Sequence, residues 1–529
     1  MSSSIKRLAA FAAAGLVLGV LGPGPAAPLA AAVRLPAVIG DHMVLQQEKP
    51  IAIWGWAGKG EAVTVLLAGQ ERKTVASTVD GTWRVVFDAL KAGDAPLEMT
   101  VRGATGPALA VKDILVGEVW VCSGQSNMEM SFAWLGMPSP DVLRAGHPRL
   151  RLFFVPKRTA DMPRDDVESR WAACTPDSVR TFSMVAYYFG LELHRRLGVP
   201  VGLIDASWGG TRIEPWTPPI GFAAVPEVKP LLDAQVDRYA GYKAALAKSL
   251  PAIEAWARDG RKALAARPPQ PVGTPPALPP NPFDNPQAPT TLYNGMIHAL
   301  TPFAIRGAIW YQGEANRDDG LLYETKMAAL IQGWRTAWGL GDFPFYYVQL
   351  APYDYGYGGE KPVVDVPDYQ RLPLIWEAQR NALRLPNTGM AVVTDIANLR
   401  DIHPTNKRDV GYRLSLWARA NVYGEKTLVC SGPLYRSMSV DGTLIRLSFD
   451  NVGGGLVSND GRTLTWFEIA GEDRVFYKAE AEIAGDAVVV WSPRVASPRA
   501  VRFGWNDLAV PNLANREGLP ASPFRTDNW

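Results

Sequence analysis

Between Ile114 and about Gly424 the sequence alternates between apolar strand segments and helical segments, and this alternation limits the fold more than any other feature. It is the pattern of a parallel sheet covered by helices. The predicted strands are 114–121, 201–205, 304–310, 345–350 and 390–394, and the main predicted helices are 183–197, 323–338 and 407–420. We therefore predict an α/β domain over residues 114–424.

Short alternating β segments flank this domain on both sides. Residues 33–113 contain several of them, separated by Gly, Asp or Lys clusters, and are predicted to form a small N-terminal β-sandwich. The β pattern returns after Cys430, so residues 425–529 are predicted to form a C-terminal β domain. Within the α/β domain, residues 225–290 look like an insertion, with a helical part followed by a proline-rich extended connector.

The N-terminal segment has the composition of an export signal. Lys6 and Arg7 precede an apolar run over residues 8–21, and a small-residue segment ends at Ala32. We predict that residues 1–32 are a signal peptide and that the mature protein is periplasmic or secreted. A membrane anchor is the weaker reading, because the run is shorter than the ~20 residues that a spanning helix needs.

Composition and charge exclude several classes of function. The 529 residues are 47% hydrophobic and 20% charged, with a net charge of +2 and no long basic run, so nucleic-acid binding is not expected. Three cysteines are too few and too scattered for a disulfide framework or a zinc site. We expect no metal and no cofactor, and we expect no membrane span in the mature chain.

Ser126 is the candidate nucleophile. In the segment 121–130, VCSGQSNMEM, apolar strand residues give way at Gly124 to a turn that carries this serine. A helix starting there would offer free backbone N–H groups to an oxyanion, as acyl transfer requires. Taken alone, however, Gly, Ser and Asn in this order are also ordinary turn chemistry.

Further polar blocks follow other predicted strands, at the sheet edge where ligands of open α/β sheets bind. Gly209 and Gly210 can bring a backbone N–H close to a substrate, and Gln312 can add a side-chain amide. His403 is the candidate base, because the other four histidines lie in the N-terminal β region, in a connector, on a helix or before a strand. Asp401 could orient His403 or could merely cap the next helix, and Asp395 is the second candidate for orienting the base.

The blocks 124–128 (GQSNM), 310–314 (WYQGE) and 401–404 (DIHP) resemble the sialate O-acetylesterase family of SGNH hydrolases. The resemblance extends from 43–46 (MVLQ) to 518–524 (GLPASPF) and thus covers nearly all of the mature chain. It implies a flavodoxin-like SGNH core, hydrolysis of acetyl esters on sugars, and no metal. It also implies that Ser126 is the nucleophile, that His403 is the base, and that oxyanion donors lie at Ser126, at the glycine turn and in the third block.

Two departures from the wider SGNH pattern leave roles open. That pattern has an asparagine in the third block, so either Gln312 or Asn316 could supply the amide. It also spaces its last block Asp-x-x-His, whereas this chain has Asp401-Ile-His403, so another group could orient the base. We assign substrate contacts to six residues near the blocks: Gln125, Asn127, Trp208, Arg212, Glu314 and Asn316.

The sequence thus predicts a carbohydrate O-acetylesterase, with acetylated sialic acid as the leading substrate and acetylated xylan or another hemicellulose as the alternative. A glycosidase could use Glu314 and Asp401 as its carboxylate pair, but it would leave Ser126 and His403 without a role. A non-catalytic sugar-binding protein is the alternative from a different class. The two β domains favour it, and the serine and histidine argue against it.

Overall fold

The computed structural model describes residues 33–136, 139–356 and 367–529. The predicted signal peptide, residues 1–32, therefore lies outside the described residues. The N-terminal region contains six short strands, β1 (Val44–Gln46), β2 (Ile51–Trp56), β3 (Ala62–Leu67), β4 (Gln70–Val75), β5 (Thr82–Phe87) and β6 (Gly93–Arg102). Strands β2 and β5 form an antiparallel pair, and β3 pairs antiparallel with both β4 and β6.

A long strand, β7 (Leu109–Gly124), joins this region to the central sheet. Its first half pairs antiparallel with β6, its middle pairs parallel with β1, and its second half runs through the centre of the sheet. The predicted domain boundary at 113/114 falls inside β7, at Asp113, whose φ is 54°. Both halves contribute to one hydrophobic core, in which Ile114 and Val121 are fully buried. The N-terminal region therefore packs directly on the α/β core.

The central sheet has the order β13-β12-β11-β7-β10-β8-β9. Its strands besides β7 are β8 (His147–Phe154), β9 (Trp171–Cys174), β10 (Val201–Ser207), β11 (Gly307–Tyr311), β12 (Phe345–Val348) and β13 (Thr388–Ala391). All adjacent pairs along this path are parallel except β8 with β9, which is antiparallel. The predicted parallel sheet is thus present, and β8 and β9 extend it at one edge.

Nine α-helices lie in the described ranges. They are α1 (Ser126–Glu129), α2 (Pro140–Leu143), α3 (Pro176–Arg180), α4 (Met184–Leu197), α5 (Pro219–Ala224), α6 (Lys229–Ala265), α7 (Leu322–Trp338), α8 (Arg371–Asn381) and α9 (Lys407–Asn421). Ser183 caps α4, because its Oγ accepts the N–H of Ala186 over 3.1 Å. The predicted insertion consists of the largely exposed α6 followed by an extended proline-rich segment.

The C-terminal region has a core of its own, as the return of the β pattern predicts. One antiparallel sheet has the order β14-β15-β20-β19 and a second has the order β18-β17-β21-β23, while β16 pairs with β22. These strands are β14 (Leu434–Asp441), β15 (Leu444–Asp450), β16 (Leu456–Ser458), β17 (Phe467–Ala470), β18 (Phe476–Lys478), β19 (Glu480–Ala484), β20 (Ala487–Trp491), β21 (Ala500–Phe503), β22 (Leu513–Asn515) and β23 (Phe524–Arg525). The chain is therefore a mixed α/β protein with additional β sheets at both ends.

Candidate active site

The carboxyl ends of β7 and β11 meet where the order of the parallel strands reverses. β7 comes before both of its neighbours, β10 and β11, in the chain, and they flank it on opposite sides. A reversal of this kind leaves a crevice outside the carboxyl ends of the strands, where ligands bind. The sequence blocks that follow β7, β10 and β11 therefore converge on one crevice.

Gly124 allows the ends of β7 and β11 to approach closely. Its φ of 142° is a conformation that glycine tolerates and other residues rarely adopt. A Cβ at this position would lie 2.1 Å from the carbonyl oxygen of Tyr311. The N–H of Gln125 donates to the same oxygen over 3.0 Å. The chain can thus leave β7 abruptly and place Ser126 just outside the sheet edge.

Ser126 is the first residue of α1 and is partly exposed. In the described ranges neither its N–H nor its Oγ makes a hydrogen bond. The first N–H groups of a helix have no partner within the helix, and the helix dipole favours negative charge beside them. Ser126 therefore combines an accessible hydroxyl with an available backbone donor.

His403 lies in the loop that joins β13 to α9, and 31% of its side chain is exposed. Its ring meets the indole of Trp134 edge to face, with the ring centroids 5.9 Å apart. Burial, and next the positive charge of Lys407, lower the pKa of His403 below its ordinary value of 6.5, while Asp401 acts in the opposite direction. The imidazole is therefore neutral, as a general base must be, over a wider range of pH.

The two candidate orienting carboxylates do not hold the imidazole. Asp401 Oδ1 accepts the backbone N–H of His403 over 2.9 Å, but it lies 3.7 Å from the ring Nδ1, too far for a hydrogen bond. Asp401 thus shapes the loop and does not fix the ring in this structure. Asp395 is bound by Arg413 through two contacts of 2.6 Å and is not available to His403.

The four remaining histidines have other surroundings. His42 contacts Asp113, His194 contacts the carbonyl oxygen of Val199, and His298 lies 3.3 Å from the hydroxyl of Tyr293. His147 is on β8, where burial lowers its pKa. None of these contacts involves the blocks that converge on the crevice.

Asn127 joins the turn of Ser126 to the loop of His403, a contact that the sequence does not predict. Its Nδ2 donates to the carbonyl oxygen of Ile402 over 2.9 Å, directly before His403 in the chain. The same nitrogen donates to Glu314, and Asn127 Oδ1 accepts from the buried Lys407. Nothing in the local sequence marks Lys407 as buried, because lysine side chains are almost always exposed.

The glycine turn after β10 lies against Ser126. A Cβ on Gly209 would be 3.2 Å from Ser126 Cβ, so this backbone borders the candidate nucleophile directly. The Gly209 N–H, however, donates to Glu129 Oε2 over 2.5 Å, and Glu129 also forms an ion pair with Lys157. The N–H of Gly210 makes no hydrogen bond within the described ranges. Gly209 can therefore serve an oxyanion only after Glu129 releases it.

The structure does not support the predicted oxyanion role of Gln312, nor that of its alternative Asn316. Both side chains are fully buried. Gln312 Nε2 donates to Gln125, to the carbonyl oxygen of Thr211 and to Asn316, at 3.1, 3.1 and 2.7 Å. Asn316 Nδ2 donates to Glu214 and Asp319. Neither amide has a free N–H to offer a substrate.

Replacing Gln312 with alanine is therefore expected to lower stability. The change would leave buried polar partners unsatisfied, at a cost of about 1–3 kcal/mol each in the free energy of unfolding. We expect a lower melting temperature in calorimetry than for Gln332→Ala, which removes an exposed glutamine of α7. An unchanged melting temperature combined with a 10²–10³-fold loss of turnover, as for a lost oxyanion donor, would restore the predicted role.

Four of the six residues predicted to contact substrate are hydrogen-bonded to other parts of the protein. Gln125, Asn127 and Asn316 are buried, and the Glu314 carboxylate accepts from Asn127. Asn127 and Asn316 use both ends of their amides in hydrogen bonds to the protein, and Gln125 Oε1 accepts from Gln312. These contacts direct the side chains inward, whereas Glu314 Oε2 is buried without a hydrogen-bond partner in the described ranges. Trp208 and Arg212 are partly exposed, but the Arg212 guanidinium is bound to Asp319, Glu214 and the carbonyl oxygen of Ala315.

The part of the chain that the structure describes brings together no group of three His, Cys, Asp or Glu side chains able to hold a metal ion. Cys122, Cys174 and Cys430 are all free thiols. Across residues 33–136, 139–356 and 367–529, no helix is both long and apolar enough to cross a membrane.

Comparisons with known proteins identify similar chains over most of the sequence. The model of a family described as "carbohydrate esterase, sialic acid-specific acetylesterase" matches residues 279–414. The chain is 33% identical to the sialate O-acetylesterase of Mus musculus over 79% of each chain. It is 31% identical to that of Homo sapiens, over 76% of this chain and 73% of the human one.

A solved structure is similar at the level of the whole fold. The crystal structure of a carbohydrate acetylesterase from Xanthomonas citri has 37% sequence identity and a TM-score of 0.77 with this chain. The match covers 94% of this chain and all of the other.

Proposed function

Because the chain belongs to the sialate O-acetylesterase family, we propose that it is a serine esterase that releases acetate from O-acetylated sugars. The observation that carries this proposal is the position of Ser126. It combines an accessible hydroxyl with a free helix-start N–H at the switch point of the sheet, and Asn127 beside it binds the loop of His403.

In the proposed mechanism, Ser126 Oγ attacks the acetyl carbonyl carbon while His403 takes the hydroxyl proton. The carbonyl oxygen becomes an oxyanion, which accepts hydrogen bonds from the N–H of Ser126 and from that of Gly209 or Gly210. The C–O bond to the sugar then breaks, and the sugar oxygen receives the proton from His403. Water, deprotonated by His403, hydrolyses the acetyl-serine to acetate and regenerates the hydroxyl. No step requires a metal or a cofactor.

The leading substrate is an O-acetylated sialic acid, and the alternative is acetylated xylan or another hemicellulose. Trp208 is partly exposed and can offer an aromatic face that suits a sugar ligand, whereas the Arg212 guanidinium already pairs with Asp319 and Glu214. The experiment that decides is acetate release from O-acetylated sialic acids and from O-acetylated xylo-oligosaccharides at matched ester concentration. Faster release from the xylo-oligosaccharides would select the alternative, and release from neither would contradict the proposal.

The core is further proposed to be a flavodoxin-like SGNH sheet. The strand order supports this, because without β8 and β9 the parallel strands follow the order 2-1-3-4-5 of flavodoxin-like folds. The domain limits are proposed as residues 33–113, 114–424 and 425–529, with an insertion at about 225–290. Residues 1–32 are proposed to be a signal peptide that directs the enzyme to the periplasm or the medium.

The pH dependence of the reaction tests the protonation state of the base. Since the pKa of His403 is lowered from 6.5, the base stays neutral, and the enzyme active, to a more acidic pH than an ordinary histidine would allow. We expect the acidic limb of kcat/KM for p-nitrophenyl acetate, measured from about pH 4 to 8, to have its midpoint below that of an unperturbed imidazole at ~6.5. A midpoint above that value would contradict the burial and charge described for His403.

A further inference from the structure

Lys407 is a buried amine beside the loop of His403, and its burial needs a physical explanation. Only 1% of the residue is exposed, although it is the first residue of α9. A buried charge is costly unless it is paired and hydrogen-bonded. The other buried lysine described, Lys326, is paired in that way, with Glu214 at 2.6 Å and Asp319 at 2.7 Å.

Lys407 instead binds an amide. Its Nζ donates to Asn127 Oδ1 over 2.5 Å and lies 5.3 Å from the ring centroid of Tyr311. Glu314 and Asp401 act on it electrostatically, but neither forms an ion pair with it in the described ranges. Burial lowers the pKa of Lys407 to about 7 against the effect of these two carboxylates.

The partners of Asn127 fix the orientation of its amide. A lysine amine presents donors, so it selects the amide oxygen, and a carboxylate presents acceptors, so Glu314 selects the amide nitrogen. Glu314 Oε1 lies 2.5 Å from Asn127 Nδ2. With the oxygen held by Lys407, the same Nδ2 points at the carbonyl oxygen of Ile402, 2.9 Å away. If the amide were rotated by half a turn, Asn127 Oδ1 would face the carbonyl oxygen of Ile402, and two acceptors would meet.

We propose that Lys407, Asn127 and Glu314 form a positioning cluster that holds the loop of His403 against the nucleophile turn. The base is thereby oriented through the peptide before it, where a conventional triad would use a carboxylate on the imidazole ring. This inference rests on the proposed function, because it assigns the cluster a role in that reaction. It accounts for a buried amine that forms no ion pair with any described residue and for the 3.7 Å separation of Asp401 from the ring.

The cluster has a second effect on the base. Lys407 and Asp401 are the charged groups that act on His403, in opposite directions, and Trp134 covers one edge of the ring. The positive charge of Lys407 opposes protonation of His403, whereas the carboxylate of Asp401 favours it. Removing the Lys407 charge should therefore raise the pKa of His403, and removing the Asp401 charge should lower it.

The test compares Lys407→Met and Asn127→Ala with Arg419→Met. The control removes a buried positive charge from the same helix, where Arg419 pairs with Glu425 away from the crevice. We expect kcat for p-nitrophenyl acetate to fall by about 10²-fold in Asn127→Ala and about 10- to 10²-fold in Lys407→Met, with KM nearly unchanged, because a small misplacement of a catalytic group has effects of this size. The double variant should lose less than the product of the two single losses, since both act on one contact.

The acidic limb of the pH profile separates positioning from a merely structural role. It should move to higher pH in Lys407→Met and to lower pH in Asp401→Asn, and it should stay in place in Arg419→Met. Should Lys407→Met not fold, the kcat loss in Asn127→Ala decides the question. The proposal is overturned if both cluster variants have the same turnover as Arg419→Met and the same midpoint of the acidic limb.

Ser126→Ala, measured in parallel, keeps the two proposals distinct. If it abolishes turnover while the cluster variants behave like the control, the serine mechanism stands and the positioning cluster is refuted. If it retains turnover, the proposed function itself fails.

Discussion

Ser126→Ala should lower the turnover of p-nitrophenyl acetate by a factor on the order of 10⁶, as the loss of a triad nucleophile does. The variant removes the attacking oxygen and leaves the backbone donors in place. Folding should be unaffected, because Ser126 Oγ makes no hydrogen bond in the described ranges and alanine is a good residue for the start of α1. Turnover and melting temperature should be measured together.

Ser415→Ala provides the matched control, because the hydroxyl of this buried serine of α9 donates to the carbonyl oxygen of Tyr412 within its own helix. It should keep wild-type turnover. A Ser126→Ala variant that retained a tenth of the wild-type rate would show that another group attacks the ester.

His403→Ala should cause the second large loss of turnover. Removal of the base from such a mechanism costs about as much as removal of the nucleophile, so we expect a loss of turnover approaching that of Ser126→Ala. His298→Ala is the control, because His298 contacts Tyr293 and lies 4.0 Å from Asp165, outside the crevice. A larger loss in His298→Ala than in His403→Ala would refute the assignment of the base.

The parts of the site that depend on chain order could be predicted from the sequence. The apolar run into β7, the break at Gly124 and the alternation of strands with helices are local patterns. In a parallel sheet they place the residues after each strand at one edge. The placement of Ser126, Gly209 and His403 in loops that follow strands was predicted in this way, and their catalytic roles stay proposals. The edge pair β8 and β9 and the helix α8 were not predicted.

The direction of polar side chains could not be predicted, because it depends on partners far away in the chain. Gln312 is 187 residues from Gln125, one of the acceptors that hold its amide inside the protein. An amide directed inward and one directed at a substrate have the same sequence pattern. For the same reason the sequence marked Asn127 and Glu314 as substrate contacts and did not mark Lys407. Only the folded structure shows that Asn127 binds both Glu314 and Lys407.

The identity of the attacking residue is the central claim, and a fluorophosphonate probe tests it most directly. Such a probe forms a covalent bond with an activated serine, and digestion followed by mass spectrometry locates the adduct. The account predicts one adduct on the peptide that contains Ser126, with loss of esterase activity in proportion to labelling and no adduct in Ser126→Ala. An adduct on another serine that tracks the loss of activity would contradict the account.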